Sequence, residues 1–441
     1  MEFRDDRGFA QDLDRLDPLA AFREEFTIPD ERDGRSCVYL CGNSLGLQPR
    51  LAARYVREEL DDWAALGVDG HFHARRPWLP YHRRAAGGLA SLTGSLPAEV
   101  VAMNALTVNL HLLMTSFYRP DAKRFRILIE STAFPSDRYA VRSQLALHGR
   151  DPGADLIEWP ARSGDGALDL RDLEELLARH GDSIALLLLP GVEYYNGQVL
   201  DMAALCAMAR DCGAKLGLDL AHAVGNLPLE LHDWGPDFAV WCSYKYLNAG
   251  PGAIGGAFVH ARHHGRPVDH PGAATLLGWW GHDESTRFEM RRAFTPAAGA
   301  ELWQLSNPPI LSCAPLLASL EIFARAGTAA LQEKSRSLTG YLAFLLEHRF
   351  HDRIRSITPA DARGCQLSLQ IVDESIDARR LCRSLKALNV IADWREPDVI
   401  RVAPVPLYNR YQDVYDFAGR LGQAMDHCRS GRRSGFSRDP T

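Results

Sequence analysis

Residues 237–258 read DFAVWCSYKYLNAGPGAIGGAF, and the fold class follows from them. The run Phe238-Ala239-Val240-Trp241-Cys242 is wholly apolar and short, the length of a buried strand rather than a helix. One lysine, Lys245, stands at its polar end between Tyr244 and Tyr246. Asn248, Gly250, Pro251 and Gly252 then require a tight loop, and a second apolar run, Gly255–Val259, follows. A lysine at the mouth of a buried strand, beside glycines that let a ligand come close, suits a Schiff base. Desolvation and nearby cations lower an amine's pKa and free it as a nucleophile. An isolated lysine at a strand end is more commonly a solvated surface charge, so its neighbours must decide.

Working outward, the run Leu216-Gly217-Leu218 ends in Asp219, followed by Leu220-Ala221-His222. Lys245 lies 26 residues beyond Asp219, room for one loop and the next strand. Alone, Asp219 reads equally well as a loop-capping aspartate. Together, Asp-x-x-His and Ser-Tyr-Lys are more specific. Pyridoxal phosphate needs a lysine for its aldehyde carbon and an acidic partner for its ring nitrogen, and this pair supplies both.

Bulk properties bound the rest. A chain of 441 residues buries a large core and is expected to form more than one domain. A net charge of −6 gives no case for nucleic acid or an anionic membrane as partner. No apolar run approaches the ~20 residues of a membrane span. The start, MEFRDDRGFAQDLDRLD, is acidic and lacks the apolar centre of a signal peptide. Nine scattered cysteines without a Cys-x-x-Cys read as reduced thiols in a cytoplasmic protein.

From the N-terminus, residues 17–25 are expected to be a short helix opened by Asp17 and Pro18. Asn43, Ser44 and Gly46 form a loop whose small side chains could face a ligand or simply turn the chain. Helices are expected at 48–66, 81–93 and from about 105, with Thr107 as the N-cap of the last. A helix N-terminus is a ready phosphate site. The segment GHFHARRPW, residues 70–78, holds two histidines but no spacing that supports a metal. Residues 126–129 form a strand, after which Phe134-Pro135-Ser136-Asp137 opens a helix. An aromatic there can stack on a flat ring. Alternating strands and helices through residue 242 predict a mostly parallel sheet, with ligands beyond the strands' carboxyl ends. Trp279, Trp280 and His282 are candidates to line a site, while Arg287, Arg291 and Arg292 read as solvated or interface charges. After Ser306-Asn307-Pro308-Pro309 two helices lead to a small α/β domain. Its strands include 366–372 and two runs about Glu396-Pro397-Asp398. Arg401 lies in the last of these, and arginine is the side chain best suited to grip a carboxylate with two bonds.

Taken in order, YLCGNSLGLQP, GHFHARRPW, NALTVNLHLLM, FPSD, GVEYYNGQ, DLAHAVGN, SYKYLNAGPG, GWWGHDESTRFEM, SNPPIL and IRVAPVPLYN span nearly the whole chain. Together they resemble the kynureninase family, pyridoxal-phosphate enzymes of the aspartate-aminotransferase-like fold type I. The resemblance implies an α/β fold: a large domain with a mostly parallel, seven-stranded type of sheet, plus a smaller C-terminal α/β domain. The expected partition is an N-terminal segment, 1–70, packed on the small domain; a cofactor-binding domain, 71–310; the small domain, 311–429; and a disordered tail, 430–441. The resemblance also implies residue roles. Lys245 would hold the cofactor, with Asp219 on the ring nitrogen and His222 beside it. Leu106 and Thr107 would contact the phosphate. Phe134 would stack on the ring, with Asp137 nearby and Pro135 and Ser136 also touching the cofactor. Tyr244 would touch the phosphate and relay a proton. Trp279 and Asn307 would reach the site across a homodimer interface. Arg401 would clamp the substrate's α-carboxylate, with Asn43 and Ser44 nearby. His71, Ser306 and Asn307 would face its aromatic end. The implied reaction is hydrolysis of L-kynurenine or 3-hydroxykynurenine to anthranilate or 3-hydroxyanthranilate plus L-alanine, in tryptophan degradation or NAD biosynthesis.

The nearest rival is another fold type I enzyme, a cysteine desulfurase or class V aminotransferase. A desulfurase needs a reactive cysteine on a mobile loop, whereas Cys365 begins a strand. A catalytically silent cofactor-binding regulator is the remaining alternative. No basic DNA-binding appendage supports it.

Overall fold

The computed structural model describes residues 2–162, 165–265, 268, 275–290 and 292–430. They fall into two compact units. The larger comprises residues 49–194 and 199–325; the smaller comprises the chain up to residue 48, the short insert 195–198, and everything from 326 on. Against the expected partition at 70 and 310, residues 49–70 and 311–325 thus fall in the larger unit. The expected tail, from residue 431, lies outside the described residues.

The larger unit is built on a seven-stranded sheet. Its strands are β1 (Val100–Ala102), β2 (Arg126–Glu130), β3 (Leu156–Trp159), β4 (Ile184–Pro190), β5 (Lys215–Asp219), β6 (Phe238–Cys242) and β7 (Gly255–Val259). The spatial order is β1-β7-β6-β5-β4-β2-β3. Neighbours from β6 to β3 run parallel, and only β7 is antiparallel, to β6 and β1. The central strands are apolar on both faces, β4 reading IALLLLP and β6 FAVWC, as parallel strands covered on both sides must be. The β6–β7 turn uses positive φ at Asn248, Gly250 and Gly252, the residues that signal a tight loop in the sequence. Gly256 has a different reason: a Cβ there would lie 2.2 Å from the Trp241 indole on the neighbouring strand. Helices Leu106–Phe117 and Pro135–Leu147 add to the core, where Phe117 stacks on Phe238 at 5.2 Å. Because β2, β4, β5 and β6 are parallel, their carboxyl ends share one edge, and with them Glu130, Asp219 and the turn carrying Lys245.

The smaller unit has an antiparallel sheet of β8 (Ile354–Ser356), β9 (Leu367–Ile371), β10 (Asp393–Arg395) and β11 (Val399–Val402), in the order β8-β9-β11-β10. Helices Thr328–Phe350, Ala378–Ala387 and Tyr411–Ser430 accompany it. The chain's start belongs here too. Val38–Tyr39 pairs in parallel with Val390–Ile391, and Asp17 accepts a 2.6 Å ion pair from Lys334, both side chains at least 95% buried.

Three local expectations are corrected. The first helix is Arg7–Leu16, capped by Asp6, and residues 20–25 form only a tighter 3-10 turn. The N-cap of that turn is Leu19, without a side-chain bond; Asp17 accepts the Leu19 N–H at 2.9 Å ahead of it, and Pro18 lacks the N–H that a helix through this point would need. Thr107 is not an N-cap. The cap is Ala105, in extended conformation and without a side-chain bond, so Thr107 lies inside the first turn. Arg287 is not solvated: it is 2% exposed, donates to the Trp280 and His282 carbonyls at 3.0 Å each, and lies 4.5 Å over the Trp280 ring. Arg292 is exposed and Arg291 lies outside the described residues.

Candidate active site

The carboxyl edge of the large sheet gathers the residues that carry chemistry. Lys245 sits half-buried in the turn after β6, its Nζ 2.9 Å from Nε2 of His222, which follows β5. Asp219 closes β5, and its Oδ1 accepts the Ala221 N–H at 2.7 Å, which orients the carboxylate. Asp137, in the first turn of the helix after β2, is bonded to Asp219. Burial first, then the charge of Asp219 and its bond, then Glu130, raise the Asp137 carboxyl well above the usual carboxylate range, and Lys245 opposes the rise. Two adjacent carboxyls in a poorly solvated site cannot both ionise cheaply, so Asp137 holds a proton. Lys245, His222, Asp219 and Asp137 therefore form one cluster, drawn from three parallel strands.

Two further acids join it. Glu130, the last residue of β2, is 4% exposed, and Glu193, in the loop after β4, is 1% exposed. Burial, then the charges of Glu193 and Asp219, push the Glu130 carboxyl up to about 8. The sequence reading missed both. The signal for Glu130 is its position: an acid as the terminal residue of an otherwise apolar parallel strand, like Asp219.

The phosphate end is equally defined. The helix that begins at Leu106 has no side-chain cap on its first N–H groups, and the Thr107 and Ser136 hydroxyls meet at 2.9 Å between two helix starts. Phe134 is 45% exposed at the edge of this region, with Tyr194 edge-on to its ring at 5.2 Å and Pro135 opening the helix behind it. Tyr244 is half-buried. Burial, then the neighbouring Cys242 thiol to which it bonds, raise its phenol, so it holds its proton. A flat phosphorylated ring with one basic nitrogen fits these groups. An amine, a carboxyl group, an exposed aromatic face and uncapped amides with two hydroxyls each meet one part of pyridoxal phosphate.

The remaining expected residues are dispersed. His71 Nδ1 is 2.9 Å from the Val68 carbonyl, and its ring meets Trp78 edge-on. Trp279 is 46% exposed and donates from Nε1 to the Arg287 carbonyl at 3.2 Å. Ser306 and Asn307 are exposed. In the smaller unit Asn43 is fully buried and donates to Gln366 at 3.2 Å. Ser44 and Arg401 come together there, both bonded to Asp393. Glu99, His232 and His260 also converge, with metal-ligating atoms within 4.8 Å of one another. The Glu99 carboxylate is already engaged by the Leu96 and Ala261 N–H groups and by His232.

Comparison with known proteins adds identity to this geometry. Residues 331–421 match the family model of the kynureninase C-terminal domain. The kynureninase of Xanthomonas campestris pv. campestris (strain B100) is 54% identical over 411 residues, 93% of this chain and 96% of that protein. That of Myxococcus xanthus (strain DK1622) is 53% identical over 421 residues, 95% and 97% of the two chains. Among solved structures, the Escherichia coli cysteine desulfurase CsdA superposes with a TM-score of 0.74 at 18% identity, covering 93% of this chain and 98% of its own. A variant of the cystine C–S lyase C-DES, with glycine covalently linked to its pyridoxal-phosphate cofactor, superposes with a TM-score of 0.72 at 18% identity, covering 87% and 96%. These two structures establish the shared fold type I architecture and nothing finer, whereas the relatives at half identity extend along almost the whole sequence: the chain belongs to the kynureninase family.

Proposed function

We propose that the protein hydrolyses the Cβ–Cγ bond of L-kynurenine, 3-hydroxy-L-kynurenine or both, releasing L-alanine and anthranilate or 3-hydroxyanthranilate. The observation that carries this reading is Lys245 at 2.9 Å from His222, in one cluster with Asp219 and Asp137 at the sheet's carboxyl edge. Pyridoxal phosphate, when bound, supplies an electron sink for the charge left on the substrate's alanyl carbons. Lys245 Nζ would hold the cofactor and, once displaced, carry the α-proton, with His222 Nε2 placed to exchange it. Asp219 would hold the proton on the ring nitrogen, with the neutral Asp137 beside it. The amides at Leu106 and Thr107, with the Thr107 and Ser136 hydroxyls, would bind the phosphate, and Phe134 would cover the ring. Tyr244, which keeps its proton, would serve as general acid toward the alanyl fragment. Arg401 would grip the α-carboxylate. His71, Ser306 and Asn307 would meet the aromatic ring; a hydrogen-bonding His71 and Asn307 favour the 3-hydroxylated substrate.

We further propose a homodimer in which Trp279 and Asn307 serve the neighbouring site. Leu276, Trp279, Phe288 and Met290, each between about 46% and 78% exposed, are apolar surface that a second copy would cover. The compartment proposed is the cytoplasm, and the pathway context tryptophan degradation or NAD biosynthesis. No single helix among the described residues is long and apolar enough to cross a membrane. The desulfurase alternative is less favoured: Cys365, two residues before β9, is 1% exposed and so not presented to a substrate.

The test is turnover of both substrates, followed by anthranilate-type fluorescence, with Lys245→Ala alongside. Turnover by the unaltered protein and loss of both cofactor absorbance and activity in the variant are expected. Full activity without Lys245 would refute the assignment.

A further inference from the structure

Arg401 is 1% exposed in the smaller unit, a burial that a lone guanidinium does not tolerate. The sheet solves this with a cross-strand pair. Asp393 on β10 lies directly opposite Arg401 on β11 in the antiparallel register. Arg401 donates from Nε to Asp393 Oδ1 at 2.7 Å and from Nη2 to Oδ2, a side-on bidentate bond that fixes the guanidinium plane. Ser44 ties the arrangement, accepting from Arg401 Nη2 at 3.2 Å and donating to Asp393 Oδ2. Burial raises the Asp393 carboxyl, but the bond and charge of Arg401, with Ser44 and Arg395, more than offset it and leave it below the usual range.

A neutral Arg–Asp pair would have little attraction for an anion. Arg395, two residues along β10, changes the balance. Its Nη2 lies 3.3 Å from Asp393 Oδ2, and its buried Nε has no hydrogen-bond partner. Two guanidinium groups and one carboxylate leave a single positive charge, the complement of one carboxylate.

We propose that Asp393 is the positioning residue of the carboxylate clamp and that Arg395 is its charge-balancing partner. Asp393 holds the Arg401 fork in one plane, Ser44 locks both, and Arg395 restores the positive charge that Asp393 removes. This rests on the reading of Arg401 as the group that takes the substrate's α-carboxylate.

Charge and geometry make opposite predictions for Asp393→Asn, which renders the test sharp. If Asp393 were merely an opposing charge, its loss would tighten anion binding and lower KM. If it positions Arg401, KM for L-kynurenine in the holoenzyme rises about tenfold or more, while kcat stays within about threefold. The affinity for L-alanine, measured by calorimetry, should fall in parallel. Inhibition by the decarboxylated amine of kynurenine should not change. Arg395→Gln, at a side chain 38% exposed, leaves the Asp393–Arg401 bond in place and covers the case of a misfolded Asp393 variant. It should raise KM by about three- to tenfold at low salt, and the gap should narrow at high salt. A KM that is unchanged or lowered in Asp393→Asn, or an equal loss for the decarboxylated amine, overturns the proposal. So does an Arg395→Gln enzyme indistinguishable from the unaltered one. An unaltered protein that binds L-alanine but does not turn over kynurenine fails the proposed function instead, and the alanine affinities still decide the clamp.

Discussion

Replacing Glu130 with glutamine isolates one proton in the core of the site. Glu130 is 4% exposed, and it faces Glu193, Asp219 and Asp137, with Arg138 the cation that opposes them. Burial and the neighbouring acids raise its carboxyl from 4.5 to about 8. The folded protein therefore keeps a proton that the unfolded chain releases near 4.5. A raised folded-state pKa means the associated stability is full below about pH 4.5 and is lost as pH climbs through about 8. The loss is about 1.4 kcal/mol per pH unit, on the order of 5 kcal/mol in all. Glutamine is nearly isosteric and neutral at every pH, so Glu130→Gln removes the dependence while keeping the shape. Urea unfolding at pH 5, 7 and 9 is the assay. The variant should gain on the unaltered protein by roughly 3 kcal/mol between pH 4.5 and 7 and by about 5 kcal/mol by pH 9. Parallel stability profiles across that range would refute a neutral Glu130 and, with it, the crowded-acid account of the site.

Arg401→Lys should raise KM for the amino-acid substrate by about tenfold or more, because an ammonium cannot keep the planar two-bond contact to Asp393 that orients the group; an unchanged KM would count against the clamp. Asp17→Asn should destabilise the protein by roughly 3–5 kcal/mol, since it strands the Lys334 charge in a site that is 5% exposed; thermal or urea unfolding measures this, and a loss below about 1 kcal/mol would show that Lys334 finds another partner or deprotonates at little cost.

Much of the molecule is legible without coordinates because its signals are local. The apolar runs of β4, β5 and β6 are short and terminated by turn residues, so their lengths and the parallel sheet follow from them. Lys245 and Asp219 announce themselves as polar residues at the ends of such runs. Helix Tyr411–Ser430 is absent from the sequence reading, although its buried positions Val414, Phe417, Ala418, Leu421, Met425 and Cys428 recur at three- and four-residue spacing. That spacing is the mark of an amphipathic helix and is present in the sequence.

Other features exist only once strands are laid side by side. Asp393 opposes Arg401 because β10 and β11 pair in one register, and a slip of one residue would put Trp394 or Ala392 there instead. Glu130 and Glu193 become neighbours of Asp219 because β4 lies between β2 and β5, an order that chain sequence does not state. The sequence by itself determined the elements, the candidate lysine and its acidic partner, since those depend on residue type and spacing along the chain. Tertiary structure alone decided which charges share a low-dielectric space, because proton affinities and ion pairing depend on through-space distance and burial, and neither is a property of the linear order.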